Sequence, residues 1–240
     1  MSIVLTIDVG LLNLGLCCAT RDDSQINRII FWELLNIIDT DIETICICLT
    51  KAGKICNKNA SFINVEKKEY YCKIHCPKEK IKILPKRKRV QDYSLQDIAS
   101  KLLVGLDDLI VKNNFDNITH VLIELQPKVN NKMKFASHII YGRLVQHFLG
   151  TNTTIRFIAA KNKLKFFQGP ALPVVSNTYA NRKKNSIKMV DWYLQNKIAD
   201  SSQWSIFLSN CKKKDDVCDT LLYAINFLSN EKIVKKSKKN

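Results

Sequence analysis

Residues 119–125, Thr-His-Val-Leu-Ile-Glu-Leu, constrain the fold of this chain more than any other stretch. Val121, Ile123 and Leu125 alternate with Leu122 and Glu124, so an extended segment here turns apolar side chains to both of its faces. Such a strand is at home in the middle of a parallel sheet, with helices covering both sides. Pro127 ends it. Around this centre, residues 3–8, 14–19 and 29–35 read as three strands opening a β-meander, with Gly10 in the first turn. Later elements alternate. A helix is expected over 94–113, with Ser94 as cap and Leu95, Ile98, Leu102, Leu106, Leu109 and Ile110 at helical spacing. A second runs from Asn130 or Asn131 to Leu149 and closes at Gly150, a strand spans 154–159, and helices follow over 182–198 and 215–228. Alternating strands and helices predict an α/β fold, a mixed sheet flanked by helices.

With 240 residues and 46% hydrophobic content, the chain has enough material for one such domain. Between residues 45 and 90 the apolar pattern breaks into Cys, Lys and Asn and ends in Lys86-Arg87-Lys88-Arg89, which predicts an inserted module and a basic linker. The expected organisation is therefore a domain over 1–229 interrupted by a 45–90 insert, with a basic tail at 230–240.

The 38 Lys and Arg outnumber the 22 Asp and Glu, a net charge of +16, and that excess favours nucleic acid as partner. No basic amphipathic helix suggests a membrane surface. No apolar run approaches the roughly 18 residues of a spanning helix, and no leader segment is recognisable. A soluble, intracellular protein without membrane association is expected.

Against that positive background four carboxylates are conspicuous. Asp8 closes the apolar run Ile3 to Ile7, Glu124 interrupts the central strand, and Asp216 and Asp219 lie three apart where the last helix opens. Each has an ordinary explanation: a turn-forming Asp before Val9-Gly10, a strand-edge Glu, and acids stabilised by a helix dipole. As a set they supply the oxygen ligands of a divalent metal such as Mg²⁺ or Mn²⁺. Two such ions promote phosphodiester hydrolysis.

Thr6-Ile7-Asp8-Val9-Gly10-Leu11-Leu12-Asn13-Leu14-Gly15, Ile123-Glu124-Leu125-Gln126-Pro127 and Lys214-Asp215-Asp216-Val217-Cys218-Asp219 resemble the three acidic motifs of RuvC-type Holliday-junction resolvases. The match is closest to the branch of poxviruses and other large DNA viruses, with fungal mitochondrial resolvases as near relatives. It covers residues 1–40 and 91–229. Val9 and Thr220 depart from the bacterial pattern, but neither position supplies a metal ligand. The resemblance implies an RNase H-like fold, a homodimer, and paired nicks across a four-way DNA junction. It also implies Asp8, Glu124, Asp216 and Asp219 as catalytic metal ligands, with Asp215 as an alternate. The viral resemblance places the chain in the host cytoplasm or nucleus.

Lys128, Lys132, Lys134 and Arg143 follow the Glu124 strand, and Arg182, Lys183 and Lys184 open the penultimate helix. Lysine and arginine grip phosphates without reading bases, which suits recognition of DNA by shape. Phe166 and Phe167 are candidates for stacking on unpaired bases.

Five of the nine cysteines fall between Cys46 and Cys76, in reach of His75. Clustered thiols in a reducing compartment suggest tetrahedral Zn²⁺. The segment resembles a small zinc-binding module that recurs in large DNA viruses, and Cys48, Cys56, Cys72 and His75 are the preferred ligands. Cys46 can replace Cys48, and Cys76 can replace His75.

Other classes remain open. An actin-like ATPase would use Ile7-Asp8-Val9-Gly10 as a phosphate loop, but no glycine lies near the C-terminal carboxylates to make its later loops. A non-catalytic zinc-containing DNA-binding protein, or another RNase H-like nuclease, shares the charge and the ligands.

Overall fold

The computed structural model describes residues 2–22, 26–38, 45–78, 80–84, 90–127, 129–160, 167–171 and 178–237. The basic run 86–89, Lys128 and Phe166 lie outside them. The chain divides into two compact units, one formed by Met1–Ile37 and Leu95–Asn240 and the other by Ile38–Ser94.

In chain order the elements are β1 (Ile3–Asp8), β2 (Asn13–Arg21), β3 (Asn27–Asn36), β4 (Phe62–Asn64), β5 (Glu69–Tyr71), β6 (Ile81–Ile83), α1 (Leu95–Asn113), β7 (His120–Glu124), α2 (Asn131–His147), β8 (Thr154–Ile158), α3 (Tyr179–Asn196), α4 (Ser201–Asn210) and α5 (Lys214–Ser237). The larger unit is built on a five-stranded sheet in the order β3-β2-β1-β7-β8. β1, β2 and β3 form the antiparallel meander, and β7 and β8 run parallel to β1. β7 is therefore the inner parallel strand that its two apolar faces require, and Val121, Leu122 and Ile123 are all buried.

Side-chain alternation sorts the sheet into two cores. Val4, Cys17, Ala19 and Leu122 face α3, α4 and α5, where they meet Val190, Leu194, Val217, Leu221 and Ile225. Two buried hydrogen bonds fix α5 to this face: the Thr6 hydroxyl donates to the Thr220 carbonyl at 2.7 Å, and Trp32 Nε1 donates to the Val217 carbonyl at 2.9 Å. On the opposite face α1 comes so close to β3 that a Cβ on Gly105 would stand 2.7 Å from Leu35 Cδ2. Phe31 stacks on Phe115 nearby at 5.6 Å. Arg143 of α2 pairs with Asp107 of α1 at 2.7 Å, which occupies one of the cations expected on DNA.

Local signals set the boundaries, as expected at Asn130 and Gly150 and differently in the later helices. α2 starts after Asn130, whose side chain accepts the Met133 N–H, and Gly150 takes the positive φ of +80° just past the helix end. α3 begins at Tyr179 because Thr178 caps it, accepting from the Asn181 N–H. α4 was not expected from its Ser-rich, weakly periodic sequence. It is held by Trp204 and Phe207, whose rings lie 6.5 and 5.1 Å from that of Trp32. α5 runs on to Ser237 with no Gly or Pro to stop it.

The smaller unit carries a three-stranded antiparallel sheet in the order β5-β4-β6. Before it, Ile45 pairs with Asn59 and Leu49 with Ile55, forming a hairpin whose turn uses Gly53 at φ +73°.

Candidate metal centres

The acidic site follows from strand register. Ile7 of β1 pairs with Ile123 of β7, so Asp8 and Glu124 are the next residues along two adjacent parallel strands. Asp8 shares a face with Thr6, and Glu124 shares one with Leu122, whose partner across the ladder is Thr6. Both carboxylates thus emerge at the carboxyl ends of the strands on the face that carries α5. α5 brings its own pair to the same place. Gly15, opposite Asp8 in β2, lies against the first turns of this helix: a Cβ there would stand 2.9 Å from the Asp216 carbonyl oxygen and 3.2 Å from Thr220 Cγ2. Asp8, Glu124, Asp216 and Asp219 are all half-buried.

A fifth member, Tyr223, was missed by sequence reasoning. It lies one helical turn beyond Asp219 and is buried, with its hydroxyl 3.5 Å from the Ala160 carbonyl. Burial pushes its phenol far above the usual range, and the negative charges of Glu124, Asp8 and Asp219 push it further. Tyr223 thus lies near Glu124, Asp8 and Asp219, in keeping with the strand register. The i, i+4 spacing to Asp219 was the available signal, masked by the apolar residues around it.

The crowding of negative charge shapes the site. Burial first, then the charge of Asp215, pushes Asp216 up to about 6. Glu124 Oε2 is buried with no hydrogen-bond partner among the described residues. A buried carboxylate oxygen without a partner is unfavourable, so this donor set fits a hard divalent cation with oxygen ligands. Asp215 stands apart. Burial raises its carboxyl, but the ion pair with Lys183 outweighs that and holds it below the ordinary value. Lys183 is therefore engaged at the rim of the acidic site rather than offered on open surface. Arg182, Lys184 and Lys134 are exposed, and Lys132 is half-buried. Phe167 is half-buried and packs in T-shaped contacts with Trp192 at 5.4 Å and Tyr193 at 5.6 Å.

Because Gly15 touches helix backbone, Gly15→Ala must push the start of α5 away from β2. The expected result is Mg²⁺ affinity reduced about tenfold or more and stability lowered by about 1–3 kcal/mol. Calorimetric metal titration and thermal melts measure both, and unchanged values would show that this contact does not set the site.

The second centre lies in the smaller unit. The ligand atoms of Cys46, Cys56, Cys72 and His75 all fall within 4.8 Å of one another. Cys46 Sγ is 3.5 Å and Cys72 Sγ 3.6 Å from His75 Nδ1, and Cys56 Sγ is 3.9 Å from Cys72 Sγ. The hairpin delivers Cys46 and Cys56, while a turn in which the His75 N–H donates to the Cys72 carbonyl at 3.1 Å returns the imidazole beside its own cysteine. Cys46 stands in this set of four where Cys48 was preferred, and Cys48 lies half-buried beside it. Cys76 is not in the cluster. Burial alone would raise the Cys46 thiol, but backbone N–H groups of Cys72 and Cys48 and the His75 and Cys72 side chains overcome this and lower it to about 6. A sulfur so favoured as thiolate suits Zn²⁺. All nine cysteines are unpaired, and burial pushes Cys18 in β2 up to about 12, as befits an inert core thiol.

Among the described residues, no helix is long and apolar enough to cross a membrane. No protein-family model matches the sequence. An uncharacterized protein of Acanthamoeba polyphaga mimivirus is 29% identical over 213 residues, 81% of this chain and 51% of that protein. The chain thus spans about half the length of the curated relative it matches. Among solved structures, the yeast mitochondrial Holliday junction resolvase aligns with a TM-score of 0.53 at 15% identity, covering 95% of this chain and 79% of that one. The fowlpox virus resolvase, solved with Holliday junction DNA, aligns at 0.47 and 13% identity over 95% of this chain and 97% of that one. With its mixed sheet flanked by helices, the chain has the RNase H-like fold of the yeast mitochondrial Holliday junction resolvase.

Proposed function

We propose that this chain is a metal-dependent endonuclease that resolves four-way DNA junctions by symmetric paired nicks, acting in DNA recombination, replication and the processing of branched viral DNA. The observation that carries this is the register that sets Asp8 beside Glu124 under the start of α5, where Asp216 and Asp219 lie. The fold shared with a Holliday junction resolvase supports it. Asp8, Glu124, Asp216 and Asp219 would hold Mg²⁺ or Mn²⁺. When bound, two such ions supply Lewis acidity that activates water and stabilises the leaving oxygen of a phosphodiester.

The chain's own residues supply the rest. The strands fix Asp8 and Glu124 rigidly, and Lys183 holds Asp215 at the rim so that the carboxylates keep their spacing. Lys128, Lys132, Lys134, Arg182 and Lys184 would track the DNA backbone. The Cys46, Cys56, Cys72 and His75 cluster would hold structural Zn²⁺. Two symmetric nicks need two acidic sites, and one chain carries one tetrad, so the working form is a homodimer. Its place of action would be the host cytoplasm or nucleus.

The test is purified full chain on end-labelled four-way junctions with and without Mg²⁺, with linear duplex as control. Paired nicks at symmetric positions, dependent on metal and on branching, are expected. A protein that binds junctions and never cuts them, with Mg²⁺ or Mn²⁺, would overturn the proposal.

A further inference from the structure

Beside the acidic site lies a small cleft that the nuclease proposal does not use. Its lining includes Arg156 and Ile158 of β8 and Tyr223, Asn226, Phe227 and Asn230 of α5. Strand register puts it next to the carboxylates: Leu122 pairs with Arg156 and Glu124 with Ile158, so Arg156 shares the face of Glu124. It lies two residues back and one strand across, an offset of about 8 Å. Tyr223 borders both, lining the cleft while sensing Glu124, Asp8 and Asp219.

Arg156 is built into this place. Its guanidinium carbon stands 5.1 Å over the centroid of Phe227, and the His120 ring lies 4.8 Å from the same phenyl. This cation–π contact tethers the guanidinium at the ring while its N–H donors can still reach an anion. The residue is exposed, and among the described residues no carboxylate pairs with it. Asn230 Nδ2 donates to Asn226 Oδ1 at 2.6 Å, which orders the amides at the opposite wall. A cation held at a ring, with side-chain amides across from it, suits a tetrahedral anion. Size narrows the choice further. The cleft holds about 150 Å³, roughly half the lower end of small-molecule sites, so it takes a phosphate group and not a whole nucleoside.

We propose that this cleft binds a backbone phosphate of the DNA strand being cut, close to the scissile one, with Arg156 as its principal contact and Phe227 as the platform that orients it. The assignment to the cut strand rests on the nuclease proposal, whereas phosphate binding itself does not. A backbone phosphate gripped here would fix the strand's register over the carboxylates.

The experiment uses the full chain and measures four-way junction affinity across a salt series without added Mg²⁺. Arg156→Ala is expected to lower affinity about tenfold at low salt and to reduce the slope of log affinity against log salt by about one. Arg156→Lys should recover the slope but not the full affinity, since an ammonium neither stacks flat nor forks to a phosphate. Thermal melts confirm folding, which an exposed substitution should leave intact. Wild-type affinity and slope in Arg156→Ala would overturn the proposal. A second arm titrates inorganic phosphate and thymidine monophosphate: only weak, millimolar binding is expected. Saturable micromolar binding of either, lost in Arg156→Ala, would replace the DNA strand with a free metabolite. If the wild type does not nick junctions but the slope still falls, phosphate binding stands and the nuclease proposal falls. If it nicks and the slope is unchanged, the cleft alone falls.

Discussion

Asp8→Asn and Glu124→Gln should each leave four-way junctions bound and uncut, with single-turnover nicking reduced about 10³-fold or more. Both substitutions keep the shape of the side chain and remove one negative oxygen from the cluster. The packing around them is already fixed by Thr6, Leu122 and Thr220, so the strands and α5 should hold their positions. Stability should be equal or slightly raised. Burial, and then the charge of the neighbouring Asp215, push Asp216 up to about 6, so carboxylates at this end of α5 carry a cost that a lost charge relieves. Junction binding should be unchanged or tighter, because a chain of net charge +16 loses one negative charge that repels phosphate at the site. Asp215→Asn provides the internal contrast. Its carboxylate is already neutralised by Lys183, so its loss should cost far less than that of Asp8. Wild-type nicking by both Asp8→Asn and Glu124→Gln would remove the acidic site from the mechanism, whatever the junction affinity.

The parts of this molecule that were legible in the sequence are those encoded by local alternation. Val121 to Leu125 specified an inner parallel strand because a two-sided apolar run has few other homes, and the meander before it followed from three short apolar runs with turns between them. The resemblance to resolvase motifs then selected Asp8, Glu124, Asp216 and Asp219 from residues that each had an ordinary explanation. What it did not contain was the third dimension of the helices. No local pattern singles out Tyr223 in α5 or Arg156 in β8; only register and helix docking place them beside the acids. α4 escaped because a Ser-rich ten-residue helix has little periodic signal and depends on Trp204 and Phe207 finding Trp32. The choice between Cys46 and Cys48 was likewise beyond sequence. Two positions apart, both lie at the cluster, and only the folded positions of Cys56, Cys72 and His75 distinguish them.

That choice yields the second large expected effect. Cys46→Ser or Cys72→Ser should abolish zinc retention, whereas Cys48→Ser should leave about one zinc per chain, a difference read directly by metal analysis of purified protein. The reason lies in how little else holds the smaller unit together. Its sheet is made of three strands of three residues each. Ile47, Leu49, Ile55, Val65, Ile74 and Ile83 are exposed, so few apolar side chains form a core. A structural zinc supplies about 10–16 kcal/mol of apparent binding free energy, as much as the whole net stability of an ordinary domain. Removing it with a strong chelator should therefore unfold residues 38–94 and open them to protease, while the larger unit, with its two buried cores, still melts cooperatively. Amide spectra should lose dispersion for Cys46 to Ile83 and keep it for β1, β7 and α5. Nicking need not follow the metal, because the carboxylates belong to the other unit. If Cys48→Ser loses zinc and Cys46→Ser keeps it, the ligand assignment is reversed. If neither variant nor the chelator changes protease sensitivity, the cluster is not what folds this unit.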